Sequence, residues 1–152
     1  MNVKRQGRDS AMRFEGSENT EGFSPISIES IQTSELILAV KIKGAFNLSK
    51  DESKYYLLGE RDDSNLKSRT LGEWKTSEAN NRKIKYVIGI NAGAGNFVVS
   101  AYEIAGWVRG GNSRTAFFSN SKSEDVLKEL GLFQKRIVDL NFGTGAAIAY
   151  IN

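Results

Sequence analysis

Hydrophobic and polar residues follow their clearest pattern in the second half of the chain. Ile84, Tyr86, Ile88 and Ile90 occupy alternate positions, the glycine-rich stretch 91–96 follows, and residues 97–104 are again rich in β-branched and aromatic side chains. Apolar residues with a period of two are typical of a half-buried strand, and a short glycine-rich segment between two such strands is typical of a turn. The pattern predicts a β-hairpin over about residues 83–104, at the centre of a sheet.

Weaker patterns predict the remaining elements. Residues 35–43 are apolar at both odd and even positions, as in a strand that is covered on both faces, and further strands are predicted at 115–119 and 146–151. Short helices are predicted to begin at Ser49, at residue 63 or 64, and at Ser123, whose hydroxyl is expected to cap the helix N-terminus. These elements predict an α+β fold with a curved antiparallel sheet, the central hairpin and a few short helices.

The chain divides into two parts by its polarity. Residues 1–22 are polar, contain four basic and four acidic residues, and offer only isolated apolar anchors, whereas residues 23–152 carry the periodic patterns. A length of 152 residues suits one domain. We therefore interpret 1–22 as a flexible N-terminal arm, favouring a frayed terminus over a phosphate-binding arm because its charges cancel, and 23–152 as a single α+β domain.

Composition narrows the possible chemistry. The chain contains neither Cys nor His, which excludes thiol nucleophiles, imidazole proton transfer and the usual zinc ligands, so it favours a binding protein without a cofactor over an enzyme. The longest apolar stretches are far shorter than the roughly 20 residues that span a bilayer, so we expect no membrane partner. No apolar segment follows Lys4, Arg5 and Arg8, as a secretory signal would require, and we expect a cytoplasmic location.

The basic residues are unevenly distributed. The net charge of the chain is only +3, yet residues 64–85 contain six basic and two acidic residues, and Arg109 and Arg114 flank a Gly-Gly-Asn-Ser loop that follows Trp107. Lys and Arg beside flexible Gly, Asn and Ser suit contact with a nucleic-acid backbone, although a solvated surface with Trp107 in the core explains the same residues. The candidate DNA-binding residues are Lys67, Arg69, Lys75, Arg82, Lys83, Lys85, Arg109, Asn112 and Arg114.

A series of short motifs spans residues 71–152, about half of the chain. They are Leu71-Gly-Glu-Trp-Lys75, Tyr86-Val-Ile-Gly-Ile90, Val98-Val-Ser-Ala-Tyr-Glu-Ile104, Trp107, Arg114, Phe117-Phe118 and Ala149-Tyr-Ile-Asn152. In their order and spacing they resemble the accessory domain that accompanies GIY-YIG endonucleases of phages and mobile elements. The resemblance implies a small α+β module that helps an endonuclease engage DNA, and it carries over no catalytic residue.

The chain also departs from that family. A GIY-YIG nuclease would need two tyrosine motifs near its N-terminus, followed by a helical Arg and a metal-binding Glu, and residues 1–60 contain nothing in that order. Tyr55-Tyr56 is not that motif. The expected function is therefore non-enzymatic binding of double-stranded DNA, as a transcriptional repressor or as a competitor of a related nuclease. A homodimer is expected too, because one short domain offers little contact area for specificity.

Two other functions remain open. A protein-interaction or inhibitor module of a mobile element would present apolar residues such as Trp107, Phe117 and Phe118 to its partner. A Mg²⁺-dependent nuclease would need a carboxylate cluster that the sequence does not reveal, since the acidic residues are mostly scattered or placed at helix starts.

Overall fold

A computed structural model describes residues 23–42 and 64–152. The predicted arm at 1–22 and the predicted helix that begins at Ser49 lie outside these residues. The described elements are β1 (Ser24–Ile26), β2 (Leu36–Lys41), α1 (Ser64–Leu71), α2 (Glu78–Asn81), β3 (Ile84–Asn91), β4 (Phe97–Glu103), β5 (Gly106–Arg109), β6 (Thr115–Phe118), α3 (Ser123–Glu129), β7 (Lys135–Ile137) and β8 (Ile148–Ile151). None of the helices in the described ranges is long and apolar enough to cross a bilayer.

The strands form a curled six-stranded sheet in the order β1-β7-β4-β3-β2-β8 and a separate two-stranded sheet of β5 and β6. The α+β class is confirmed, and so is the central hairpin, since β3 and β4 pair antiparallel around a 3₁₀ turn at Ala92–Ala94. The large sheet is mixed, however, because β2 pairs parallel with β3 and β1 pairs parallel with β7. Hydrophobic periodicity gives the faces of a strand but not its direction, so it could not predict these pairings.

Both faces of the large sheet are buried. Along β2, Ile37 and Ala39 belong to one core cluster, whereas Leu38 and Val40 belong to the other, as predicted for a strand covered on both sides. The first cluster is completed by side chains of the α3 region, including Val126, Leu127 and Leu130. The second contains Leu66 and Leu71 of α1 and Phe117 of β6. The small sheet therefore packs on the face opposite to α3.

The outer edge of β4 is covered by serine side chains. Strand β4 pairs with β7 only at Phe97. Farther along β4, the Ser123 hydroxyl accepts the Ala101 N–H at 3.0 Å and the Ser121 hydroxyl accepts the Glu103 N–H at 3.1 Å, while Ser119 donates to the Glu103 carbonyl at 2.7 Å. The expectation that Ser123 caps α3 is wrong, because its hydroxyl bonds to the Ala101 N–H of β4. The residue before the helix is Lys122, whose side chain makes no capping hydrogen bond.

Candidate nucleic-acid interface

A third chain segment joins the small sheet at its β6 edge. The Trp74 N–H donates to the Thr115 carbonyl at 2.9 Å, and the Thr115 N–H donates to the Trp74 carbonyl at 2.8 Å. These bonds form an antiparallel bridge between β6 and the segment that follows α1. The bridge brings together the two parts of the chain that carry the predicted basic residues, 64–85 and 109–114.

The close approach of this segment depends on Gly72. Its φ is +126°, in a region that other residues rarely adopt, and a Cβ atom there would lie 2.8 Å from the Thr115 carbonyl oxygen. Just beyond, the Trp74 indole N–H donates to the Thr70 carbonyl at 2.9 Å, which satisfies one of the free carbonyls at the end of α1. Helix α1 and the small sheet are therefore joined through a turn that requires glycine.

A buried polar cluster holds the segment that contains Trp74 against β6. Thr76, Asn81 and Thr115 are almost fully buried. The Thr76 hydroxyl donates to Asn81 Oδ1 at 2.6 Å and lies 2.9 Å from Thr115 Oγ1. Thr115 Oγ1 accepts from Asn81 Nδ2 at 2.9 Å. Because buried polar groups are costly when unpaired, this closed arrangement favours one relative position of α2, the Trp74 segment and β6.

Two arginines of the β5–β6 hairpin reach back across this segment. Arg109 donates through Nη2 to the Thr76 carbonyl at 3.3 Å, and Arg114 lies with Nη1 3.5 Å from the Glu73 carbonyl. Between them, the Asn112 side-chain oxygen accepts the Arg114 N–H at 3.1 Å and shapes the loop. The two guanidinium groups thus flank Lys75, which is exposed on the same segment.

The cations of this region are exposed and unneutralised within the described structure. Residues 73–83 and 109–114 together contain five basic and two acidic residues. We call the five basic residues the cationic cluster: Lys75, Arg82, Lys83, Arg109 and Arg114. All five are exposed, and none forms an ion pair with another residue of the described ranges. Arg82 and Lys83 belong here because they directly follow Asn81, whose side chain contacts Thr115.

The other predicted basic residues lie elsewhere or are engaged. Lys67 donates to the Ser119 carbonyl at 3.1 Å and lies over the Tyr102 ring, 5.8 Å from its centroid. Lys85 forms an ion pair with Glu103 on the neighbouring strand at 3.3 Å. Arg69 is exposed on α1. Their closeness in sequence to the cationic cluster could not show this difference. Which side chains meet depends on the register of the strands and on the face of the helix that each side chain occupies.

The aromatic residues of the hairpin divide between its two faces. Trp107 is half-buried and Phe117 is buried, and both pack against the second core cluster. Phe118 is 50% exposed, and so is Val108, at 56%. Of the three aromatic residues expected to form a protein-binding surface, only Phe118 is exposed. Val108 is not among the residues predicted from the sequence. Its position between Trp107 and Arg109 in a strand places it on the opposite face from both.

Elsewhere the described residues offer little reactive chemistry. A cavity of about 350 Å³ beside the β4–β5 connection is lined by Glu103, Ile104, Ala105, Asn120 and Ser121. Its one titratable side chain, Glu103, pairs with Lys85, and its one hydroxyl, that of Ser121, accepts the Glu103 N–H and lies 2.8 Å from the Ser119 hydroxyl. Over residues 23–42 and 64–152, no three acidic side chains come close enough together to hold a metal ion.

Comparison of the chain with protein-family models, with curated proteins and with solved structures gave no significant match. The resemblance to GIY-YIG accessory domains therefore stays a prediction.

Proposed function

We propose that this protein binds double-stranded DNA without catalysing a reaction, and that the cationic cluster contacts the phosphate backbone. The observation that supports the proposal is the Trp74–Thr115 bridge, since it holds Arg109 and Arg114 on either side of Lys75. Cations separated in sequence are thereby brought together at the tip of the β5–β6 hairpin, where they can meet neighbouring phosphates.

The type of residue also suits phosphate. Arg109 and Arg114 present planar guanidinium groups, which can give paired hydrogen bonds to phosphate oxygens. Each guanidinium group gives one hydrogen bond to a carbonyl of the segment that contains Trp74, and its other N–H groups can donate to a ligand. Less side-chain entropy is then lost on binding than for two freely rotating arginines.

Salt dependence tests the proposal directly. Binding of a fluorescein-labelled 20-base-pair duplex is followed by anisotropy between 50 and 200 mM NaCl. Five phosphate contacts give a slope of about −4.5 in log K against log salt, or a loss of roughly 500-fold across this range. Absence of binding at 50 mM, or an affinity that does not change with salt, would overturn the proposal.

The non-enzymatic part has its own test. Supercoiled plasmid is incubated with the protein and an excess of Mg²⁺, and the products are separated on agarose. We expect the plasmid to stay supercoiled, because the described residues bring no carboxylate cluster to the cationic cluster. Nicked or linear product that disappears with EDTA would show that the protein is a nuclease.

A DNA-binding protein of this kind acts by occupying its site, so we propose a cytoplasmic repressor or a competitor of a related mobile-element nuclease. A homodimer would double the contact area and recognise a two-fold symmetric site. Selection of bound fragments from the source genome, together with the mass of the complex by light scattering, tests both points. Enrichment of inverted repeats and two chains per duplex are expected, whereas random fragments and one chain per duplex would contradict them.

A further inference from the structure

The β5–β6 hairpin has an outer face that the core does not use. Residues that pair across the two strands share a face, and successive pairs point to opposite faces. Trp107 and its partner Phe117 face the core, so the pairs Val108–Ala116 and Gly106–Phe118 face away from it. We call Gly106, Val108, Ala116 and Phe118 the outer face. The two small residues leave Val108 and Phe118 projecting, and about half of each side chain is exposed.

This apolar face ends at the cationic cluster. Arg114 directly precedes β6 and lies four residues from Phe118, about 13 Å in an extended chain. Arg114 precedes Thr115 and Lys75 follows Trp74, the partner of Thr115, so both alternate onto the outer face. Arg109 pairs with Thr115 on the core face and donates to the Thr76 carbonyl. A ligand that covers the outer face therefore needs an apolar surface on the hairpin and negative charge at the hairpin tip.

The major groove of DNA has this combination. It is about 12 Å wide and admits a two-stranded β-ribbon, its walls carry phosphates, and the C5-methyl groups of thymine project into it. We infer that the outer face enters the major groove, where Val108 and Phe118 contact thymine methyl groups while Lys75 and Arg114 hold the adjacent phosphates. This inference rests on the proposed function and assigns the groove that the hairpin reads.

Removal of the methyl groups tests the inference. The probes are a 20-base-pair alternating dA·dT duplex and the same duplex with deoxyuridine in place of every thymidine, which keeps the phosphates and the base-pairing edges. We expect the uridine duplex to bind about fourfold more weakly for each methyl group that the protein buries. The slope against salt should be the same for both duplexes, because the phosphate contacts do not change.

Variants of the exposed side chains complete the test. In Val108→Ala and Phe118→Ala the difference between the two duplexes should shrink, whereas Val138→Ala, which truncates another valine that is 52% exposed, should leave it unchanged. Far-UV circular dichroism checks that all three variants are folded. Because the truncated side chains are exposed, their loss leaves no buried cavity.

The outcomes separate the inference from the proposed function. Equal affinity of the wild-type protein for both duplexes, with a steep salt slope, overturns the major-groove inference and leaves the phosphate-binding proposal intact. Absence of binding to either duplex overturns both. If Phe118→Ala instead converts a dimer into a monomer, or abolishes capture of a partner protein after nuclease treatment, the outer face is a protein interface and the inference is wrong.

Discussion

The Thr70 hydroxyl lies 2.7 Å from the Ser100 hydroxyl, and both side chains are completely buried between α1 and β4. Thr70 also donates to the Leu66 carbonyl at 2.8 Å. A hydroxyl has one proton, so Ser100 is the donor of the pair. Opposite Ser100 on β3 stands Gly89, where a Cβ atom would overlap the Ser100 hydroxyl oxygen. The absence of a side chain at residue 89 provides the space for this buried pair.

Gly89→Ala should therefore destabilise the protein. The added methyl group has to displace the Ser100 hydroxyl or move β3 from β4, and overpacking of this kind costs about 1 to 3 kcal/mol. Urea unfolding measures the free energy of unfolding. Gly93→Ala is the matched control, since a Cβ atom there meets nothing within 4 Å, and it should change the stability by less than about 0.5 kcal/mol.

A second substitution identifies the cause of that cost. In the Gly89→Ala/Ser100→Ala double variant the overlapping oxygen is gone, so the total loss should be smaller than the sum of the two single losses. Strictly additive losses would show that the hydroxyl of Ser100 is not what excludes a side chain at residue 89.

Asn81→Ala should lower stability by about 1 to 3 kcal/mol. The substitution removes the Oδ1 acceptor of Thr76 and the Nδ2 donor of Thr115, and it leaves two buried hydroxyls with fewer partners. Asn80→Ala, the neighbouring change on α2, has no such contacts to break and serves as control. Equal free energies of unfolding for the two variants would show that the buried cluster does not stabilise the fold.

Arg109→Gln/Arg114→Gln should reduce the steepness of the salt dependence of DNA binding. Each lost phosphate contact lowers the slope by about 0.9, so the double variant should lose about 1.8. Lys122→Gln/Lys128→Gln removes the same charge at α3, which packs on the opposite face of the sheet. The same slope change in both double variants would mean that net charge, and not the position of the cationic cluster, determines binding.

Tyr86 makes stability fall at alkaline pH. Burial, and then the nearby Glu129 and Glu103 carboxylates, raise the pKa of its phenol above the ordinary value of 10.0. The unfolded chain therefore loses this proton at a lower pH than the folded chain, so the stabilisation is complete below about pH 10 and is lost as the pH rises further. The free energy of unfolding of Tyr86→Phe should fall less steeply above pH 10 than that of the wild-type protein. Parallel curves would contradict this.

The parts of the fold that depend on local pattern could be predicted from the sequence. Alternation predicted the β3–β4 hairpin, and double-sided hydrophobicity predicted the buried strand β2. The parallel pairing of β2 with β3 could not be predicted, because it depends on how the chain between them returns to the sheet.

For the candidate site, the sequence indicated two basic segments but not their contacts. Basic residues near Lys75 and Arg109 could be grouped by charge alone. Their approach in space depends on the Trp74–Thr115 bridge, which pairs residues far apart in the chain. Ser123 shows the same limit, since its position before two acidic residues is that of a helix cap while its hydroxyl bonds to β4.

The serines that cover the edge of β4 stand at every second position of their own segment, at 119, 121 and 123. Their hydroxyls bond to backbone groups of Ala101 and Glu103, which are also two residues apart. Insertion or deletion of one residue in this segment would shift the hydroxyls out of step with the strand. The uncovered N–H and carbonyl groups would then be free to pair with another chain. Self-association of a one-residue insertion variant, seen by size-exclusion chromatography, would show that the spacing of these serines keeps β4 from pairing with other molecules.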